Sequence, residues 1–151
     1  MENVLQIAEV TFYWEYALEF QHFPNLKRHP VVFSFGILLL ILGEFIRKIA
    51  IITLGHNFTL RISVKQRSEH KLVTTGIFKY VRHPSYAGWY IWAIGMQVMI
   101  GNPFCTIFAM IVLWRFFKIR IEFEDVYLYH FFKDEWVLYR FNTPSGILFV
   151  K

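Results

Sequence analysis

Residues 31–54 read VVFSFGILLLILGEFIRKIAIITL and follow Pro30. At ~1.5 Å per residue, a helix of that length reaches across a ~30 Å hydrocarbon core. No other feature narrows the possible folds as much. The rest of the chain leans the same way, with 56% hydrophobic, 20% aromatic and 18% charged residues. Soluble domains run at roughly 45–50% apolar and about 25% charged. A soluble domain of 151 residues has too little interior to hide so much apolar surface, so lipid is the expected solvent. The length suits a single domain. No repeat, low-complexity segment or Gly/Ser linker divides it.

Three further helical stretches are readable. Residues 3–21 carry Glu9, Glu15 and Glu19 among aromatics, and two readings stand: a span or an interfacial helix. Residues 84–101 start with Pro84, which is tolerated in a first turn. Gly101-Asn102-Pro103 then makes a tight turn. A fourth helix runs from Pro103 through FCTIFAMIVLW into the charged RFFKIRIEFEDVYLYHFF. The last two form an antiparallel hairpin. The fold class expected is therefore all-α, a polytopic membrane protein with a helical hairpin and a polar site on its cytosolic side. Orientation follows from the bases. Residues 55–83 hold Arg61, Lys65, Arg67, Lys71, Lys79 and Arg82 against Glu69, and Arg115, Lys118 and Arg120 add to the same side. Basic flanks stay cytosolic. The net charge of +5 is thereby assigned to membrane orientation, and no nucleic acid partner is expected. The N-terminal MENVLQIAEV lacks a basic n-region and a cleavage site, so no secretory signal peptide is expected. Cys105, the single cysteine, reads as a buried thiol.

The charged residues each admit a plain reading. Glu44, Arg47 and Lys48 are spaced i, i+3, i+4 inside the long apolar stretch and read as a structural pairing. Arg82 and His83 precede a helix whose first turn holds Ser85 and Tyr86. Two readings are equal there: unpaired first-turn amides that attract an anion, or an Arg, His and Tyr ordinary at a membrane boundary. Arg120 and Glu124 share a helix face, although the segment Arg115 to Asp125 also reads as a solvated helix laced with ion pairs. His22 and His130 read as interfacial. No His/Cys/carboxylate group has metal-ligand spacing, so no metal is expected. Walker, GxGxxG and GxSxG motifs are absent. The residues by themselves name no reaction.

At these same positions the sequence resembles the isoprenylcysteine carboxyl methyltransferases. The resemblance runs from FYWEYALEFQHFPNLK through LGEFIRKIAIITLGHNF. It is densest in HKLVTTGIFKYVRHPSYAGWYIWAIGMQVMIGNPFC and closes on WRFFKIRIEFEDVYLYHFFKDEWVLYRFNTPSGILFVK. It implies one membrane domain over 1–151, with N-terminal membrane or interfacial helices over 1–54. Residues 55–151 would then form the cofactor loop, the hairpin and a catalytic C-terminal segment. It implies S-adenosylmethionine as cofactor and the C-terminal carboxylate of prenylated cysteine in processed CaaX proteins as acceptor. It also implies a multi-pass place in the endoplasmic reticulum membrane, with lipid as a partner. By position it implies cofactor binding at His70, Lys71, Leu72, Val73, Phe78, His83, Pro84, Ser85, Tyr86 and Glu124, with Arg120 holding the substrate carboxylate. Phe78 stands where the family typically has Tyr, and Ser63 where some members have Gln. Members usually carry further membrane helices ahead of the matched region, so a chain short of them is expected.

That chemistry suits the residues. A carboxylate of pKa near 3.5 is already ionised at pH 7, so no base is required. The protein has to align the reacting atoms and exclude water. The related alternatives are a phospholipid N-methyltransferase, a reductase with a similar C-terminal core that uses NADPH, and an inactive scaffold. The TPSGILF ending and the Arg120/Glu124 pair favour the carboxylate acceptor.

Overall fold

The computed structural model describes residues 17, 18, 20–22, 24–27, 29–59, 62, 63 and 71–150. The stretch 3–21 falls outside them apart from 17, 18, 20 and 21, which are helical and exposed. After one helical turn at Pro24–Lys27, three long helices make the fold: α1 (Pro30–Leu54), α2 (Pro84–Ile100) and α3 (Pro103–Asn142). Among the described residues there is no strand. Each long helix opens on a proline, whose missing N–H falls where no intrahelical acceptor exists. Gly101 adopts a left-handed φ of 69° to close α2. Its neighbour Asn102, 1% exposed, starts α3 and accepts the Thr106 hydroxyl at 2.6 Å on its carbonyl. The hairpin read from Gly-Asn-Pro is present.

α2 lies at the centre. On one side α1 runs antiparallel to it with unusually close backbones. Gly36 and Gly43 of α1 meet Gly88 and Gly95 of α2, both pairs seven residues apart. A methyl group at Gly43 would lie 2.5 Å from the Trp92 amide nitrogen, and one at Gly88 would lie 2.6 Å from the Gly43 carbonyl. Those positions leave no room for a side chain because the neighbour is backbone. On the other side α3 packs through rings: Phe117 contacts Tyr86, Trp89 and Tyr90, with centroids 5.2–6.4 Å apart. Phe117 and Ile121 form a buried core with Ile147 and Val150 of the C-terminal tail.

The tail is part of the fold rather than an appendage. The Arg82 amide donates to the Pro144 carbonyl at 2.9 Å and the His83 amide to the Ser145 carbonyl at 3.1 Å. The Trp114 indole donates to the Leu148 carbonyl at 2.7 Å. Gly146, at φ 98°, would drive a side chain into Val81. α3 is also longer than its sequence suggests. It breaks at Lys133 (φ 47°, ψ −118°), just past the stretch expected to be helical, and then resumes to Asn142.

Judged by uninterrupted apolar length, no helix among the described residues is long and apolar enough to cross a membrane. In α1, Glu44, Arg47 and Lys48 interrupt the run after Gly43, and Lys48 pairs with Glu44 at 3.3 Å, the structural pairing expected. The outward faces are nonetheless apolar, with Val31, Phe35, Ile41 and Phe45 of α1 and Phe104, Phe108 and Ile111 of α3 all exposed.

Candidate active site

Three pieces of backbone converge at the start of α2. Residues 71–75 lead into a short 3-10 turn, Gly76–Lys79. Arg82 and His83 lead into α2, and α3 contributes residues from Glu124 to Tyr139. Between them lies a cavity of about 130 Å³. Lys71, Leu72, Val73 and Phe78 stand in its wall, with His83, Pro84, Ser85 and Tyr86 from the start of α2 and Glu124 from α3. His70 lies outside the described residues. Arg120 does not line the cavity. It stands beside Tyr86, its Nε donating to the Tyr86 hydroxyl at 3.0 Å and its guanidinium 5.4 Å from the ring centroid. Tyr86 in turn donates to Glu124 Oε2 at 2.6 Å. One phenol thus joins the arginine to the carboxylate of Glu124, whose side chain is 28% exposed and lines the cavity.

The start of α2 offers little to an anion through its backbone. The Tyr86 and Ala87 amides turn to the His83 carbonyl, those of Arg82 and His83 are taken by the tail, and Pro84 has none. Of the two equal readings of this segment, the one resting on first-turn amides is thereby narrowed to Ser85, whose amide is not among those bonded to His83 or the tail.

Behind the cavity sits a charged cluster that the sequence had disguised. Asp125, 3% exposed, lies 3.0 Å from His83 Nε2 through Oδ1. Its Oδ2 is 3.6 Å from Arg82 Nη1 and 3.4 Å from Arg140 Nε. The other imidazole nitrogen of His83, Nδ1, is 3.8 Å from Glu124, so one ring bridges two neighbouring carboxylates. The reading of this segment as a solvated helix fails at Asp125. Successive helical residues point about 100° apart, so Glu124 faces the cavity and Asp125 faces inward. A signal existed: Phe117, Ile121 and Asp125 recur every four residues on one buried stripe. Burial lowers the Arg82 pKa, against the pull of Asp125. A buried cation in that state gains from every acceptor it can reach.

The segment of α3 after Lys133 supplies wall residues the sequence did not single out. Trp136, 2% exposed, lies under the Arg82 guanidinium, 5.7 Å from it. The Tyr139 hydroxyl donates to the Phe78 carbonyl at 2.6 Å, and burial pushes its pKa up to about 12, against a smaller effect of Arg82. This bond ties the 71–79 loop to the far end of α3. Ser63 also lines the cavity, together with Asn57, Phe58 and Ile62. No group of His, Cys, Asp and Glu among the described residues is arranged to hold a metal.

The arrangement can be set beside known proteins. Residues 36–130 match the model of the isoprenylcysteine carboxyl methyltransferase family. The protein-S-isoprenylcysteine O-methyltransferase B of Arabidopsis thaliana is 47% identical over 136 residues, covering 90% of this chain and 69% of that protein. The Homo sapiens protein-S-isoprenylcysteine O-methyltransferase is 39% identical over 145 residues, covering 96% of this chain and 51% of its own length. The solved structure of a eukaryotic intramembrane Ras methyltransferase superposes with a TM-score of 0.92 at 38% identity, covering 98% of this chain and 53% of that one. The chain thus spans about half the length of the animal relatives it matches. With the family model matching most of the chain and the whole described fold shared, the chain belongs to the isoprenylcysteine carboxyl methyltransferase family.

Proposed function

We propose that the protein transfers a methyl group from S-adenosylmethionine to the C-terminal carboxylate of a prenylated cysteine in processed CaaX proteins, forming a methyl ester. The observation that carries this reading is the bonded series Arg120–Tyr86–Glu124 at the cavity edge. It sets a cation and an anion on either side of one phenol. S-Adenosylmethionine, when bound, supplies a methyl group on a cationic sulfonium.

The wall fits such a group. Glu124 presents a carboxylate to the cavity, and the rings of Phe78, Tyr86, Tyr127, Trp136 and Tyr139 surround it, which suits a cation and a flat heterocycle. Lys71, Leu72 and Val73 form the loop side of the cofactor pocket, and His83, Pro84, Ser85 and Tyr86 the helix side, with His70 assigned to the same role by its place in the motif. Arg120 orients the acceptor carboxylate through its planar fork. Because the acceptor is already ionised at neutral pH, no residue needs to remove a proton. Tyr86 and Glu124 hold the arginine in place, and the aromatic wall excludes water.

The exposed apolar faces of α1 and α3 are read as lipid-facing, in a multi-pass protein of the endoplasmic reticulum membrane with its cavity on the cytosolic side. The prenyl chain then approaches through lipid while the cofactor enters from water. The test is methyl transfer from labelled S-adenosylmethionine in membranes carrying residues 1–151, with S-farnesylcysteine and phosphatidylethanolamine offered in parallel. Base-labile methyl ester on the prenylcysteine is expected. Methylated lipid instead of ester overturns the acceptor assignment.

A further inference from the structure

The transfer reaction proposed above gives the buried Asp125 no part, yet Asp125 decides which nitrogen of His83 carries a hydrogen. Its Oδ1 lies 3.0 Å from His83 Nε2. A carboxylate beside two guanidiniums only accepts, so the hydrogen in this bond belongs to the ring. A neutral imidazole with its hydrogen on Nε2 leaves Nδ1 as a bare hydrogen-bond acceptor. That nitrogen lies 3.8 Å from Glu124 Oε2, beyond hydrogen-bond reach. Both side chains stand in the cavity wall. Oε2 accepts the Tyr86 hydroxyl at 2.6 Å, and the Tyr86 ring stacks on the imidazole with 6° between their planes. The two hydrogen-bond acceptors are thus held in place from behind.

Two such acceptors repel each other unless a donor lies between them, and one nitrogen or oxygen about 2.9 Å from each serves both. We infer that Asp125 is a positioning residue: by keeping the His83 hydrogen on Nε2, it makes Nδ1 and Glu124 an acceptor couple for a hydrogen-bond donor of the cofactor, an ammonium or a ribose hydroxyl. The inference rests on the cofactor reading above. The far oxygen of Asp125 gives it direction. Oδ2 faces Arg82 Nη1 at 3.6 Å and Arg140 Nε at 3.4 Å. Those donors keep an oxygen on their side in Asp125→Asn as well, so the new amide turns its N–H toward His83. The ring then accepts at Nε2 and carries its hydrogen on Nδ1, a donor where the cofactor requires an acceptor. An aspartate fixes the histidine tautomer of a catalytic triad in the same way. Acid has a similar effect, adding a second hydrogen at Nδ1. Around the ring stand Asp125 and Glu124 of α3 and Tyr86 of α2, with Arg82, Arg140 and Arg120 behind them. The tail meets His83 through the Ser145 carbonyl, and Lys71 stands in the loop wall of the cavity. Among these side-chain types, imidazole is the one that ordinarily changes charge between about pH 5 and 8.

The experiment is calorimetric titration of the full chain in detergent with S-adenosylmethionine, without prenylcysteine, from about pH 5.5 to 7.5. Two buffers of different ionisation enthalpy count the protons exchanged. The parent is expected to bind about tenfold more weakly at the acid end, the scale of one hydrogen bond to a charged group. Binding there releases up to one proton, because the bound form requires a bare Nδ1. Asp125→Asn is expected to bind about tenfold more weakly at the neutral end and to lose the proton release. His83→Gln, whose amide takes the place of Nε2, loses as much. His83→Asn, whose amide takes the place of Nδ1, loses less, and both are flat with pH. 5′-Methylthioadenosine keeps the ribose hydroxyls and lacks the ammonium. A pH dependence kept with it assigns the hydroxyl as the donor, and one lost assigns the ammonium. Parent binding that does not change with pH, or an Asp125→Asn protein that binds as tightly as the parent, overturns the positioning role while the cofactor reading stands. If Asp125→Asn does not fold, the proton count of the parent and the two His83 variants decide. No binding at any pH overturns the cofactor reading, and this inference with it.

Discussion

α1 meets α2 through shape, and α3 meets the start of α2 through charge. The first contact is made by glycines that let the two backbones approach closely. The second joins Arg82, His83 and Asp125 in one buried cluster, flanked by the half-exposed Arg140, and Arg120, Tyr86 and Glu124 in another that opens on the cavity. The difference separates support from chemistry. Shape holds α2 in position, while the charged cluster sets which atoms of its first turn face the cavity. A shape contact fails by clash, and a charge contact fails by leaving a partner uncompensated.

The largest expected effect lies on the charge side. Asp125→Ala leaves Arg82 buried without its acid, a loss of ~3–5 kcal/mol for a broken buried pair. Asp125→Asn keeps the shape and part of the bonding, so it is expected to recover part of that loss in thermal unfolding of the detergent-solubilised protein. On the shape side, Gly43→Ala forces α1 off α2 and costs ~1–3 kcal/mol as overpacking. Equal sensitivity of Asp125→Asn and Asp125→Ala would mean that the cluster is held by packing and would erase the contrast.

Smaller effects sharpen it. Tyr139→Phe removes one hydrogen bond to the Phe78 carbonyl, ~0.5–1.5 kcal/mol, and loosens the 71–79 loop. Because burial holds the Tyr139 pKa at about 12 against ~10 in the unfolded chain, this side chain favours the fold while it stays neutral. Its contribution is present below pH 10 and is lost as pH rises toward 12, and Tyr139→Phe is expected to flatten that alkaline limb of the stability profile. Lys133→Gly is the smallest change and a gain. Its φ of 47° with ψ −118° is a conformation glycine adopts without steric cost, and relief of such strain is worth on the order of 1 kcal/mol.

The two regions were not equally legible. The long helices were readable because proline opens each and Gly101-Asn102-Pro103 closes the hairpin, all of which are local rules. The glycine spacing of α1 and α2 stood in the sequence, yet which helix faces which is settled only when both stripes find each other. The cavity residues came from motif resemblance rather than from physics. Asp125 escaped because a carboxylate beside Glu124, Glu122 and Arg120 resembles solvated helix surface until its four-residue spacing from Ile121 and Phe117 is weighed. Arg140, Trp136 and Tyr139 escaped for another reason: the break at Lys133 redirects the helix, and no residue preference announces a positive φ at a lysine.

The central claim is that Arg120 and Glu124, though joined through one phenol, serve different partners. Binding of S-adenosylmethionine and methyl transfer to S-farnesylcysteine, measured side by side for Arg120→Ala and Glu124→Ala, test it most directly. Arg120→Ala is expected to lose transfer while binding the cofactor nearly as tightly as the parent, and Glu124→Ala to lose cofactor affinity itself. Equal loss of cofactor binding in both variants would contradict the division and leave the Arg120–Tyr86–Glu124 series as a single structural unit.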